Sequence, residues 1–220
     1  MDEYQIIKEA NRRAYGRIAA TWEQRTAETY DFALHERCRE LFVEHLPGPR
    51  ILELGCGLGW DSHYFCCKGY DVTATDFQEA FIDLARSRNS RVKTLVMDMM
   101  EPHVFPEPFH GIYGFASFLH VPGDRSAETI RRLAGLLHDK GVLFLHHVKS
   151  MRGLDRYIQE ALLVDDNPAY CFCHSEKEME RMLLDAGFSI ILFRHLASGK
   201  PKSPLAERLG LESYQAIAIR

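Results

Sequence analysis

The sequence has no long apolar run. Stretches such as Val142 to Leu145 and Ile190 to Phe193 are far shorter than the roughly 20 residues a membrane-crossing helix needs. The start, Met1-Asp2-Glu3-Tyr4, is acidic and has no apolar signal core, so no secretory peptide is expected. Charge of one sign is not in excess. Lys plus Arg number 27 against 31 Asp plus Glu, a net charge of −4. Nucleic-acid binders are typically basic or carry a basic face, so nucleic acid is disfavoured as a partner. The six cysteines (Cys38, Cys56, Cys66, Cys67, Cys171 and Cys173) have no disulfide-framework spacing. They read as reduced thiols of a cytoplasmic protein. No internal repeat and no low-complexity tract is present.

What is present is ordinary globular composition. Apolar residues make up 46% and charged residues 26% of 220, near the averages for folded domains. A chain of this length buries about 70% of its unfolded surface and reads as one domain over 1–220. Short apolar runs alternate with helical patterns, the mark of an α/β protein with a parallel sheet. Residues 1–46 read as a helical N-terminal arm, with one helix over 4–24 and a second over 31–46 that Pro47-Gly48-Pro49 stops. Strands are expected at 50–54, 71–75, 92–97, 111–116 and 141–148, with a helix at 127–138 before the last. Residues 150–174 read as an insertion mixing loop with a short helical stretch (Tyr157, Ile158, Ala161, Leu162). A helix follows at 176–186. Two strand-like runs, 188–194 and 213–219, close the chain. No helix of useful length fits between them, so they are expected to form an antiparallel pair.

The sharpest local feature is Ile51-Leu52-Glu53-Leu54-Gly55-Cys56-Gly57-Leu58-Gly59, where the first strand meets a helix. Glycines there permit positive φ and close approach of a ligand to the backbone, and the helix behind offers free N–H groups. A dinucleotide turn would carry a small residue at the sixth position; this chain has Trp60. Glu53, just before the glycines, would repel a pyrophosphate. A nicotinamide dehydrogenase is therefore disfavoured.

The stretch Glu53-Leu54-Gly55-Cys56-Gly57-Leu58-Gly59 closely resembles the first motif of class I S-adenosylmethionine-dependent methyltransferases. Asp76 ends the second strand, Asp98 follows the third, and Phe109 to Pro122 resembles the family's fourth-strand segment. Gly141-Val142-Leu143-Phe144 resembles its fifth, and the closing hairpin also fits. The resemblance covers about residues 10–220. It implies an α/β fold: a seven-stranded, mostly parallel Rossmann-like methyltransferase sheet, helices on both faces, and a C-terminal antiparallel hairpin. S-adenosylmethionine is the implied cofactor.

The resemblance also implies roles. Gly55, Cys56 and Gly57 would bring backbone against the cofactor, and Glu53 would bond polar groups near the turn or simply stabilise it. Asp76 would take the ribose hydroxyls, because a carboxylate is acceptor-only; otherwise it is a solvated strand end. Phe77 would lie against adenine or pack the next helix. Asp98 would accept from the adenine amine, with Met99 as an apolar wall or ordinary core. Phe115 and Ala116 would border the methionine end. Tyr15 and Trp22 of the arm would cover the cofactor, or pack an amphipathic helix onto the sheet.

Ser117, His147 and Lys149 read as acceptor-side residues. Alternation sends His146 and His147 to opposite faces, so at most one lines the pocket. His120 is the candidate general base, since an unperturbed histidine titrates near neutrality; otherwise it bonds a nearby backbone carbonyl. Cys171-Phe172-Cys173-His174 invites a zinc reading, but the spacing is not that of a finger or ribbon and no fourth ligand is placed, so no metal is expected. Asp61, Ser62 and His63 point in different directions on one helix and cannot form a hydrolytic triad.

The fourth strand exits through Phe115-Ala116-Ser117-Phe118. This is not the Asn/Asp-Pro-Pro-Tyr pattern that acts on nucleic-acid amines and protein amides in related enzymes. With the arm and the 150–174 insertion as lids, a small-molecule acceptor is expected. Protein or peptide methylation and a non-catalytic cofactor-binding module remain the alternatives. No exposed seam identifies a dimer.

Overall fold

The structure, a computed structural model, describes residues 3–26, 30–158, 168–198 and 203–220. The arm comprises α1 (Glu3–Ile18), a single 3-10 turn (Ala19–Thr21), α2 (Trp22–Thr26) and α3 (Phe32–Val43). Asp31 caps α3 by accepting the Leu34 N–H at 3.0 Å. There follow β1 (Arg50–Leu54), α4 (Trp60–Cys67), β2 (Asp71–Asp76), α5 (Glu79–Arg88), β3 (Lys93–Val96), β4 (Phe109–Phe115), α6 (Gly123–Gly135) and β5 (Leu137–Ser150). The remainder is β6 (Arg156–Ile158), β7 (Tyr170–Phe172), α7 (Glu176–Asp185), β8 (Ile190–Arg194), α8 (Pro204–Leu209) and β9 (Leu211–Ile219). No described helix is long and apolar enough to cross a membrane.

Seven strands form one sheet in the order β3-β2-β1-β4-β5-β9-β8. The pairs from β3 across to β5 are parallel, while β9 lies antiparallel between β5 and β8. This is the expected mixed sheet with its C-terminal antiparallel pair. Alternation on β1 divides its side chains: Ile51 joins a core with Leu34, Cys38, Phe42, Phe65 and Ile82, whereas Leu52 and Leu54 join Ile130, Leu133, Met179 and Leu183. Helices α3, α4 and α5 therefore cover one face, and α6 and α7 the other. The chain moves outward one way from β1 and the other way from β4. That reversal opens a crevice at the carboxyl ends of these two strands, the usual ligand position in such sheets.

Several boundaries differ from the sequence reading. The helix expected at 127–138 is α6, which starts at Gly123 behind Pro122, and Leu137 already belongs to β5. The polar first turn hid the true start: Ser126 donates to the Pro122 carbonyl at 3.0 Å and is fully buried. Tyr157 and Ile158, read as helical, lie in β6 and pair antiparallel with Cys171 and Tyr170 of β7. Ala161 and Leu162 lie outside the described residues. A short helix, α8, does form between the last two strands. Ser203 caps it, Pro204 opens it, and Gly210 ends it at φ +62°.

Candidate active site

The crevice holds one cavity that joins the arm to the strand ends. Fourteen of the sequence-predicted residues line it: Tyr15, Trp22, Glu53, Gly55, Cys56, Gly57, Asp76, Phe77, Asp98, Met99, Phe115, Ala116, Ser117 and His120. Its floor is the turn between β1 and α4. Gly55 sits at φ +64°, and a Cβ there would fall 2.6 Å from Ser117 Cβ, so the β1 and β4 ends abut only because residue 55 has no side chain. Gly57, at φ +48°, differs. A Cβ there would meet nothing within 4 Å; the space above it belongs to the cavity. This backbone surface fits a ligand laid against it.

Asp76, the last residue of β2, is 6% exposed. Its Oδ2 accepts the Gly57 N–H at 3.1 Å and its Oδ1 the Gln78 N–H at 2.9 Å. A carboxylate has about four lone-pair sites, so both oxygens retain acceptor capacity. Desolvation pushes its pKa up to about 6, against the pull of those backbone bonds. Glu53 is buried and accepts from the Ser62 hydroxyl. Burial, then the charges of Asp61 and Asp76, hold its carboxyl well above the usual range.

Asp98 fixes its Oδ1 on the Met100 N–H at 2.9 Å and turns Oδ2 to Lys8 Nζ at 2.5 Å. Lys8 comes from α1 and lines the cavity. Desolvation disfavours its charge, yet the bond to Asp98 and that carboxylate's charge raise its pKa overall. Ala116 adopts φ +50°, a conformation costly for a residue with a side chain. It turns the chain sharply off β4 at the cavity wall.

The arm closes the opposite wall. Tyr15, Trp22 and Phe81 meet edge to face with ring centroids 5.7–6.3 Å apart. The Tyr15 hydroxyl lies 2.8 Å from His120 Nε2, and His120 Nδ1 lies 2.9 Å from the Tyr170 carbonyl oxygen. A carbonyl only accepts, so Nδ1 carries the proton and Nε2 accepts from Tyr15. Desolvation pushes the His120 pKa down to about 4, and burial raises that of Tyr15 well above its usual value. Both are neutral near pH 7. The backbone-carbonyl contact foreseen for a structural His120 is present, and its remaining nitrogen is covered by Tyr15.

His147 and Lys149 do not line the cavity, which corrects their placement on the acceptor side. His147 is fully buried, with Nε2 2.9 Å from His174 Nδ1. Lys149 pairs with Glu176 at 2.6 Å. The reason is strand length. β5 runs to Ser150 and pairs with β9 from Val142 to Ser150, so both positions lie within that antiparallel pairing, His147 opposite Tyr214 and Lys149 opposite Glu212. His146 faces the other way, stacked on Phe115 at 4.1 Å.

The sequence reading missed Lys8, Tyr30, His35 and Asp61 as cavity residues. His35 Nδ1 is 3.3 Å from both Asp61 oxygens, and Arg39 NH1 is 3.1 Å from Asp61 Oδ1. Only the fold joins α3 to α4, so no local signal marks them. Asp61, Ser62 and His63 do take three separate partners, His35 with Arg39, Glu53, and Cys67. Among the described residues no cluster could hold a metal ion. Cys171 instead lies against Tyr157 and His120, and His174 bonds His147.

Comparison with known proteins agrees with this geometry. Residues 22–192 match the family described as "Methyltransferase domain". A probable S-adenosylmethionine-dependent methyltransferase of Mycobacterium tuberculosis (strain H37Rv) is 24% identical over 196 residues, 88% of this chain and 68% of that protein. A malonyl-[acyl-carrier protein] O-methyltransferase of Erwinia pyrifoliae is 35% identical over 88 residues, 39% of this chain and 31% of that one. Among solved structures, a Burkholderia thailandensis 1,6-didemethyltoxoflavin-N1-methyltransferase superposes with a TM-score of 0.72 at 19% identity. It covers 100% of this chain and 91% of its own, and was crystallised with 1,6-didemethyltoxoflavin and S-adenosylhomocysteine bound.

Proposed function

The chain belongs to the methyltransferase-domain family, and from that premise we propose that it methylates a small-molecule acceptor held beneath its N-terminal arm. S-adenosylmethionine supplies the methyl group on a sulfonium from which a neutral thioether leaves. The cavity suits it: an open backbone surface over Gly57, and two carboxylates with acceptor capacity, Asp76 at the end of β2 and Asp98 just beyond β3. Asp76 takes the ribose hydroxyls, Asp98 the adenine amine, and Phe77 and Met99 supply apolar wall.

Methyl transfer is an in-line displacement, so the protein's contribution is mainly to hold the acceptor in line and to exclude water. Phe115, Ala116 and Ser117 at the β4 exit and Tyr15 on the arm form the wall for that task. Neutral His120 acts through Tyr15, fixing its hydroxyl proton inward and leaving the phenol oxygen's other lone pair to the cavity. An acceptor that must shed a proton can pass it to the Tyr15 oxygen as Tyr15 passes its own to His120 Nε2, a balanced relay.

The observation that carries the small-molecule reading is the Tyr15–His120 contact. It joins the arm to the turn beyond β4 at the cavity wall, and a small acceptor would sit beneath the arm there. The test is calorimetric titration with S-adenosylmethionine and S-adenosylhomocysteine, with NAD as control, followed by an acceptor screen read by mass spectrometry. Micromolar binding of the first two and a methylated small molecule are expected. Methylation of peptides alone would overturn the acceptor class, and absence of cofactor binding would overturn the whole site.

A further inference from the structure

We propose that Asn11 is a positioning residue: through the backbone of Tyr170 it fixes the His120 proton on Nδ1 and so sets the direction of the Tyr15–His120 relay. This rests on the relay reading above and deepens it.

The buried face of α1 is Ile7, Asn11, Ala14 and Ile18, spaced as one stripe of a helix. Asn11 is the polar member of that stripe and is 3% exposed. A buried amide is costly unless it is hydrogen-bonded. Here both ends of the amide meet one residue. Asn11 Oδ1 accepts the Tyr170 N–H at 2.7 Å, and Nδ2 donates to the Tyr170 carbonyl at 3.1 Å. Tyr170 opens β7 and forms the end pair of its ladder with β6, so the amide acts there as a neighbouring strand would. Ala14 and Ile18 seat on Ala169 beside it.

The Tyr170 carbonyl also accepts His120 Nδ1–H at 2.9 Å. A carbonyl oxygen has two lone pairs, and Asn11 and His120 use both. Cys171 Sγ lies farther from Nδ1, at 3.8 Å. Once the carbonyl shifts, the proton is free to sit on Nε2. It would then point at the Tyr15 oxygen, and His120 could no longer take a proton there. With the carbonyl held, Nε2 stays open as the acceptor. When Nε2 takes the Tyr15 proton, Nδ1–H stays on the carbonyl as a charge-assisted bond. Asn11 and Tyr15 stand one turn apart on α1, on neighbouring positions of the helix surface. The arm therefore carries both the group that joins the relay and the group that orients it. Tyr15, His120, Tyr170 and Asn11 close one ring of contacts, and that ring is complete only with the arm seated.

The test is nitrogen NMR of the full chain, isotope-labelled at histidine and bound to S-adenosylhomocysteine. The His120 ring signals are identified by their loss in His120→Gln. The wild type should carry the proton on Nδ1, and Asn11→Ala should show the Nε2–H form. With the acceptor that the screen returns, Asn11→Ala should lower kcat by about 10- to 100-fold and change S-adenosylhomocysteine affinity by less than about twofold. In a His120→Ala background the same substitution should lower kcat by less than about threefold further, because it acts through His120. If Asn11→Ala does not fold, by thermal melt, Asn11→Asp carries the comparison. Its carboxylate keeps the bond from the Tyr170 N–H and has no donor for the carbonyl. An unchanged His120 tautomer, or an equal loss of kcat in the His120→Ala background, would overturn the positioning role and leave the relay standing. A shifted tautomer with normal kcat, or a wild-type proton on Nε2, would overturn the relay as well.

Discussion

Tyr15 and His120 stand 105 residues apart in sequence and 2.8 Å apart in the fold. One belongs to the N-terminal arm and the other to the turn beyond β4. Their hydrogen bond has a fixed direction, because the Tyr170 carbonyl holds the proton of His120 on Nδ1. This neutral pair holds the arm over the cavity together with the Lys8–Asp98 ion pair and the bonds between Asn11 and the Tyr170 backbone.

His120→Ala leaves the Tyr15 hydroxyl without its acceptor. An unsatisfied buried hydroxyl costs about 1–3 kcal/mol of stability, and loss of the relay's terminal proton acceptor should lower turnover by roughly 100-fold or more. S-adenosylhomocysteine affinity should remain near normal, since neither residue is assigned to the nucleoside. Tyr15→Phe should lower turnover in the same way. Steady-state kinetics beside calorimetry separates the two effects; unchanged turnover in both variants would remove the pair from the reaction.

Asp76→Ala should weaken cofactor binding by about 1–3 kcal/mol through loss of the hydroxyl acceptors. The wild-type site should also be pH-dependent. With its pKa raised to about 6, Asp76 is a full acceptor above that value and becomes protonated below it. Cofactor affinity should therefore decline as pH drops through about 6. Asp76→Asn should lack that decline. A flat wild-type profile would contradict the assignment.

Gly55→Ala and Gly57→Ala separate folding from binding. Both place a side chain at positive φ, at a cost of about 1–2 kcal/mol. At Gly55 the new Cβ also collides with Ser117 Cβ at 2.6 Å, so stability should fall further. At Gly57 it enters open cavity. That variant should melt only slightly lower and lose cofactor affinity. Denaturant titration beside ligand titration reads both.

Buried histidines should make the protein acid-sensitive. Desolvation lowers the pKa of His120 to about 4 and of His146 to about 3, and lowers that of His147. Unfolded histidines take their protons near 6.5, so the unfolded chain binds more protons below that pH. The histidine contribution is therefore complete above about pH 6.5 and is lost progressively as pH falls toward the folded values. Asp76, raised to about 6 from 3.8, opposes part of this loss. Neither ring nitrogen of His146 has a hydrogen-bond partner among the described residues. His146→Phe keeps the stack on Phe115 and removes two unsatisfied polar atoms, so it should stabilise by about 1 kcal/mol at pH 7 and reduce the acid slope. Destabilisation at pH 7 would mean that those nitrogens are satisfied by water.

The strand ends were legible because they are local. A glycine turn at one strand end, a carboxylate at the next, and side-chain alternation place Gly55, Gly57 and Asp76 on one rim once the parallel order is known. The same alternation sent His146 and His147 to opposite faces. It did not give the length of β5, since pairing with β9 extends that strand to Ser150 and carries His147 and Lys149 away from the pocket. Tyr157 and Ile158 were misread because a three-residue strand has no periodicity of its own; its pairing with β7 decides it.

The alternating α/β order, the glycine turn and the carboxylates that follow it are written locally in the chain, because each depends on neighbouring residues and a fixed backbone period. Which of these side chains pair across the site follows from packing between distant elements. Lys8 reaches Asp98, Tyr15 reaches His120, and His35 reaches Asp61. Each pair joins separate elements, and packing of the arm and its helices against the sheet brings their partners within hydrogen-bonding distance.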